Sequence, residues 1–386
     1  MQAETKASLR QSFTEIALKL ELEGADSNTT FDENLSLVLR WLRLTTKKWL
    51  LIYDNAERQQ TLKGYWPTEG RGAMLLTSRA YYNFFENEHL SGETVQLFND
   101  EERRALLLAH LGDAWQTKYL RSEDMMYEIE EAAISTLLHN TGGLPIAIMH
   151  AAKLILDRNI NTHGTVRSFM EMFKDSFETL PPRQSTERDQ LIHSLDTIWK
   201  IAFDNLNEYA KVILSGLALL SPDSILIDLF LPSDQSMLTK KMEFCRTTPS
   251  SSNIVLPAPS IQTVINPSAN LQAALDELHR KGLISRLGRK IAIHRTVQEA
   301  VNYRNSQELK ENFESMVSLL YDAFPKQREG RPLTESWGWC RTWIQHVIAL
   351  AYKYKLYTWN RPEEQNPLRD MDKVDLFIRL LANSAW

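Results

Sequence analysis

Trp49-Leu50-Leu51-Ile52-Tyr53-Asp54-Asn55-Ala56 is the stretch on which the fold turns. Five apolar residues run without interruption into a carboxylate and an amide. The run is short and apolar at both odd and even positions, so it predicts a buried strand of a parallel sheet. The pattern returns in Gly72-Ala73-Met74-Leu75-Leu76-Thr77-Ser78-Arg79. Two such strands, each ending in polar residues, are the sequence signature of an open α/β sheet. Ligands of such sheets sit beyond the carboxyl ends of the strands. Thr94-Val95-Gln96-Leu97 predicts a third, shorter strand.

Around these strands the spacing turns helical. Residues 5–22 carry Leu9, Phe13, Ile16, Ala17 and Leu20 at three- and four-residue intervals, and residues 32–44 carry Leu35, Val38, Leu39 and Leu42 on one stripe. Asn99 with Glu102 three positions on predicts a capped helix start, with Ala105, Leu106, Ala109 and Leu111 as its apolar members. A helix over 122–139 is then broken by Thr141-Gly142-Gly143-Leu144-Pro145, and Pro145 opens the next helix, which runs to Leu156. Residues 181–187 form a polar linker. Beyond it lie helices near 190–205, 207–220 and 225–230, then a Ser- and Pro-rich loop over 232–270 whose composition predicts mobility. A helix over 271–281 stops at Gly282, and a hairpin turning at Leu287-Gly288-Arg289 follows. Helices closed by a small hairpin are a winged-helix pattern. The remainder is helical near 306–324, 336–355 and 370–384. Its Trp337, Trp339, Trp343 and Trp359 read as packing residues. An apolar pattern running to Trp386 predicts a hydrophobic surface that continues in something absent from the chain.

Composition excludes several classes of function. The chain has 386 residues, with 44 Lys+Arg against 49 Asp+Glu for a net charge of −5, which argues against binding nucleic acid by bulk charge. Cys245 and Cys340 are too few for a disulfide framework or a four-thiolate zinc site. No apolar run is long enough to span a bilayer, and the N-terminus lacks a signal pattern. A cytoplasmic protein without membrane contact is expected. The histidines show no metal-ligand spacing, and Ser78 and Ser215 lack the setting of a hydrolase nucleophile.

Four segments in order resemble the NB-ARC class of STAND-type P-loop NTPases, especially the fungal NOD-like proteins. Trp49 to Ala56 is similar to the Walker B strand, and Gly72 to Arg79 to the sensor strand that ends in arginine. Gly142-Gly143-Leu144-Pro145-Ile146-Ala147 is similar to the GLPL motif, and Ile291 to Gln298 stands where the family has its MHD motif. The resemblance implies an α/β plus mainly α chain. It would comprise a partial parallel-sheet nucleotide core over 1–98, a helical subdomain over 99–182, and a winged helix over 188–304. A helical spacer over 305–386 would lead toward absent tetratricopeptide-like repeats.

By the same resemblance Asp54 would hold Mg²⁺, Arg79 would sense the terminal phosphate, Pro145 would pack on adenine, and His294 would reach the phosphates. The family's second Walker B acid is Asn55 here, which cannot act as a base, and Arg295 replaces the aspartate of the MHD motif. The phosphate loop GxxxxGK[ST] is missing, since none of the 14 glycines is followed by lysine. The chain therefore reads as starting after its P-loop. The expectation is a degenerate or truncated regulatory protein that acts through protein contacts, self-association included. No catalytic residue, bound cofactor or nucleic-acid partner is expected, although an intact relative would take ATP or ADP with Mg²⁺. The alternatives are a working ADP/ATP switch ATPase whose site is completed elsewhere, and a DNA-binding regulator that uses the winged helix.

Overall fold

The structure is a computed structural model. It describes residues 1–26, 31–79, 91–120, 125–179, 187–231, 239–245, 268–304, 308–326, 336–359 and 366–384. The linker expected at 181–187 lies almost wholly outside these residues, as does most of the loop at 232–270.

The chain divides into two compact units, of which the first takes in Met1–Thr94 and Pro325–Ile348. Its elements are α1 (Lys6–Lys19), α2 (Phe31–Leu44), β1 (Trp49–Tyr53), the single turn α3 (Gln59–Leu62) and β2 (Gly72–Leu76). β1 and β2 pair in parallel, in register from Trp49 opposite Gly72 to Tyr53 opposite Leu76, as the two apolar runs predict. Gly72 is required here, because a Cβ would fall within the Trp49 ring. Residues 1–3 lie along the other edge of β1. The Met1 ammonium donates to the Ile52 carbonyl at 2.8 Å, and the Asp54 and Ala3 amides exchange bonds with Met1 and Asp54 carbonyls.

One face of this sheet is covered. Leu51 and Tyr53 pack with Leu9, Phe13 and Ala17 of α1 and with Val38 and Leu42 of α2. The Tyr53 hydroxyl donates to the Tyr65 carbonyl at 2.6 Å inside this core. On the other face Leu50, Ile52 and Leu75 remain 57%, 43% and 51% exposed. The expectation of a strand buried on both faces is therefore corrected. Side chains alternate along a strand, and α1 and α2 cover only the odd-numbered side of β1. The expected third strand is also absent. Residues 91–99 have no regular structure and Val95 is 94% exposed. Four alternating residues do not hold a strand without a neighbour to take their ladder bonds.

The second unit comprises Val95–Phe324 and Ala349–Ala385. It opens with α4 (Asp100–Tyr119), α5 (Met125–Thr141), α6 (Pro145–Leu156), α7 (Val166–Thr179) and α8 (Glu187–Asp204). The expected cap at α4 is present, with Asn99 and Glu102 bonding each other's backbone amides at 2.9 and 3.0 Å. Its buried stripe is Leu107, Leu111, Trp115 and Tyr119, however, and Ala105 and Ala109 face solvent. The reading stopped at Leu111 and so missed the aromatics that continue the four-residue spacing past the break at Gly112. α7 was not anticipated. Its N-terminal amides, from Val166 and Arg167, are taken up by the buried Glu130 carboxylate of α5 at 2.8 and 3.3 Å.

After α9 (Glu208–Leu217) the segment read as a helix at 225–230 begins instead as β3 (Ile225–Leu226) and ends in a 3-10 turn. The difference arises because β5 (Lys290–Ala292) pairs antiparallel with both β3 and β4 (Ser285–Leu287), which turns the expected hairpin into a three-stranded sheet. Within the expected mobile loop, Lys240–Cys245 forms a 3-10 turn that buries Met242 and Cys245. α10 (Ala269–Arg280) and α11 (Arg295–Arg304) flank the hairpin, and α11 was not read from the sequence.

α12 (Leu309–Ala323), α13 (Trp337–Thr358) and α14 (Val374–Ser384) follow. Phe313, Tyr354 and Phe377 meet as a ring cluster with centroids 5.2 to 6.0 Å apart. Trp343 is a packing residue as expected, while Trp359 is largely exposed with the Lys355 ammonium over its ring. The Trp337 side chain lies outside the described residues.

Candidate functional site

Asp54 follows β1 and Arg79 follows β2 by three residues, so both stand at the carboxyl ends of the parallel strands. Neither points into open space. The Thr77 hydroxyl donates to the Asp54 carboxylate at 2.6 Å and accepts the Asn55 amide at 2.9 Å. Thr77 is fixed in turn, since its own amide donates to Tyr53 and its carbonyl accepts from Ala56. Asn55 adopts a left-handed conformation with φ of 63°, one that asparagine tolerates better than most residues. Arg79 donates through Nε and its backbone amide to the Glu57 carboxylate at 3.2 and 3.3 Å. The strand ends thus carry a hydroxyl–carboxylate pair and an ion pair that satisfy each other.

A magnesium–nucleotide does not fit these residues by themselves. Among the described residues no three His, Cys, Asp or Glu side chains cluster closely enough to hold a metal. Asp54 offers one carboxylate already engaged by a hydroxyl. No Gly-Lys pair exists to wrap a phosphate in backbone amides.

Pro145 and His294 belong to the second unit. Pro145 is the first residue of α6, where its missing N–H costs nothing. The two glycines before it are there for geometry. Gly142 and Gly143 have φ of 56° and 79°, and a Cβ on Gly143 would lie 2.5 Å from the Phe98 carbonyl oxygen. The Phe98 amide donates to the Gly143 carbonyl at 3.1 Å, and Arg103 Nε donates to the Phe98 carbonyl at 2.7 Å. The Gly-Gly turn is therefore the seat on which the start of α4 rests.

His294 precedes α11 and caps it. Its Nδ1 accepts the Thr296 backbone amide at 3.3 Å and lies 2.6 Å from the Thr296 hydroxyl. Accepting there places the ring proton on Nε2. Burial, opposed by Glu299 and Asp223 and reinforced by Arg295, holds the imidazole below its usual pKa. His150 lies within electrostatic reach, on the helix that Pro145 opens. Burial pushes His150 down to about 4, with Lys153 and His294 adding to the shift. Its Nδ1 has no hydrogen-bond partner, and its ring meets Trp199 edge-on at 6.3 Å.

The sequence reading passed over His150, Lys153 and Asp157. The signal was their spacing of three and four residues, which sets three titratable groups on one face of α6. Lys153 packs its stem against Gly282, and Asp157 accepts from the Lys281 ammonium at 3.1 Å. Burial raises the Asp157 pKa, but the Lys281 and Asn159 hydrogen bonds more than reverse this and hold it below the ordinary carboxylate value.

No protein-family model matches the chain, and no curated protein matches it. Among solved structures it is similar to a Signal Transduction ATPase with Numerous Domains (STAND) protein with a tetratricopeptide repeat sensor, from Pyrococcus horikoshii. The similarity covers 99% of this chain and 47% of that one, at 17% identity and a TM-score of 0.43. The chain thus spans about half the length of that protein. So low a score leaves the functional reading to the residues themselves.

Proposed function

We propose that this chain is a STAND-type regulatory protein, NB-ARC-like in its motif order, that works through protein contacts and has weak or no nucleotide binding of its own. The reading rests on the order of the four motifs, with residues 188–304 taken as a winged helix. The single observation that carries the nucleotide half is the mutual satisfaction of Asp54 with Thr77 and of Arg79 with Glu57, in a chain with no Gly-Lys pair. A phosphate would have to displace those partners without a backbone cradle to repay the exchange. Asn55 at the second acidic position removes the base that would activate a water for hydrolysis.

Contact through the sheet is supported by its bare side. All-parallel sheets occur almost only with both faces covered. Leu50, Ile52 and Leu75 depart from that rule, and exposed contiguous apolar surface marks interaction sites. DNA binding through the hairpin is disfavoured by charge. Arg286 is held by Asp276 at 2.5 Å and Arg289 by Asp228 at 2.7 Å, so neither guanidinium stands ready for phosphate.

Isothermal titration of the full chain with Mg-ATP and with Mg-ADP tests the proposal. No saturable heat is expected with either, before or after Asp54→Ala. Stoichiometric, magnesium-dependent uptake that Asp54→Ala abolishes would return the chain to the switch ATPases.

A further inference from the structure

The second unit contains two helical groups with a charged seam between them. α8 packs on α5, α6 and α7, whereas α9 packs on α10, α11 and α12. Only residues 205–207 connect α8 to α9. Each group has an apolar interior, represented by Ile134, Ile148 and Phe169 in the first and by Ile213, Leu275 and Val297 in the second. The side chains that reach across are of a different kind. Asp157, which ends α6, takes the Lys281 ammonium at 3.1 Å and Arg280 Nε at 3.4 Å from the end of α10. Asp204, which ends α8, pairs with Arg304 of α11.

The charges continue to the connector. Lys281 also lies 3.4 Å from Glu277, one turn back on α10. The other Glu277 oxygen accepts the backbone amide of Asn207 at 3.3 Å and bonds its side-chain amide. Asn207 is the residue that caps α9, through its own bond to the Ala210 amide at 2.8 Å. A single hydrogen-bonded chain thus runs Asp157–Lys281–Glu277–Asn207, from the first group to the joint between the two. The Lys281 and Asp157 side chains are each 1% exposed.

We propose that residues 205–207 are a hinge, and that the Asp157–Lys281–Glu277–Asn207 chain is the latch that holds the two helical groups closed across it. The physical basis is an asymmetry in what opening costs. Parting two apolar surfaces exposes hydrocarbon to water, whereas parting a desolvated ion pair returns both charges to water. Polar seams between packed groups are accordingly where relative motion is expected. Removing one partner leaves the other as a buried, uncompensated charge, which only opening relieves. The latch involves neither Asp54 nor Arg79 and operates with or without a nucleotide.

Hydrogen exchange of the full chain carrying Asp157→Asn tests this. Peptides covering 153–160, 203–208 and 277–283 should exchange about tenfold faster, with the cores at 134–138 and 213–217 unchanged. Unaltered exchange at the seam overturns the proposal, and so does uniform acceleration through both cores. If Asp157→Asn does not fold, Arg280→Ala gives the same contrast. Arg280 is half exposed and donates to the same carboxylate oxygen, so its loss should speed the seam peptides about threefold without stranding a buried charge. No change in those peptides, or an equal change in the cores, again counts against a latch.

Discussion

Tyr53 shows how one hydroxyl contributes to the core beneath the sheet. It is fully buried, and its single donor bond satisfies the Tyr65 carbonyl. Tyr53→Phe strands that carbonyl and should lower stability by about 1–2 kcal/mol, read as a lower urea midpoint with an unchanged slope. Gly143→Ala should cost more, about 2 kcal/mol or above, because it adds a clash with Phe98 to a positive φ. His150 links stability to pH. Burial lowers its folded pKa to about 4, so the unfolded chain binds the proton more readily below about pH 6.5. The His150 contribution is therefore complete above that value and lost as pH falls toward 4, at no more than about 1.4 kcal/mol per pH unit. His346, fully buried and lowered to about 3, extends the loss to lower pH. Between pH 7 and pH 5, His150→Leu should lose less stability than the unaltered chain, and equal losses would discount this account.

Among the helices, α4 shows where local sequence suffices and where it does not. Its capping box involves residues three positions apart and is complete in the sequence. Asn99→Ala should cost about 1 kcal/mol, measurable as a fall in thermal midpoint with little change in helical circular dichroism. The buried face of the same helix could not be inferred from its first turns. It depends on Trp115 and Tyr119 finding the carbonyls of Gly164 and His163, more than forty positions away, at 2.7 and 3.0 Å. α7 was missed for a related reason. Its first amides are satisfied by Glu130 of another helix, so no cap is written beside it. β3 was mistaken for a helix because two residues carry no period, and its strand character comes from pairing with β5.

The molecule as a whole presents an apolar sheet face and a buried charged seam. Replacing Leu50 and Ile52 with lysine should leave the thermal midpoint within about 2 °C, since neither side chain is buried. The same change should reduce concentration-dependent light scattering if that face mediates association, and unaltered scattering would remove it as a contact surface. The order of amino acids alone specified the amphipathic helices, the parallel pairing of β1 with β2, the Asn99 cap and the turn before Pro145. All of these arise from propensities and contacts within a few positions, or from a pattern repeated along the chain. Folding alone established that Leu50 stays bare while Leu51 is covered, that Thr77 occupies Asp54, and that Asp157 meets a lysine 124 positions away. Exposure and charge pairing depend on which distant surfaces come to rest against each other, and no short-range pattern encodes that.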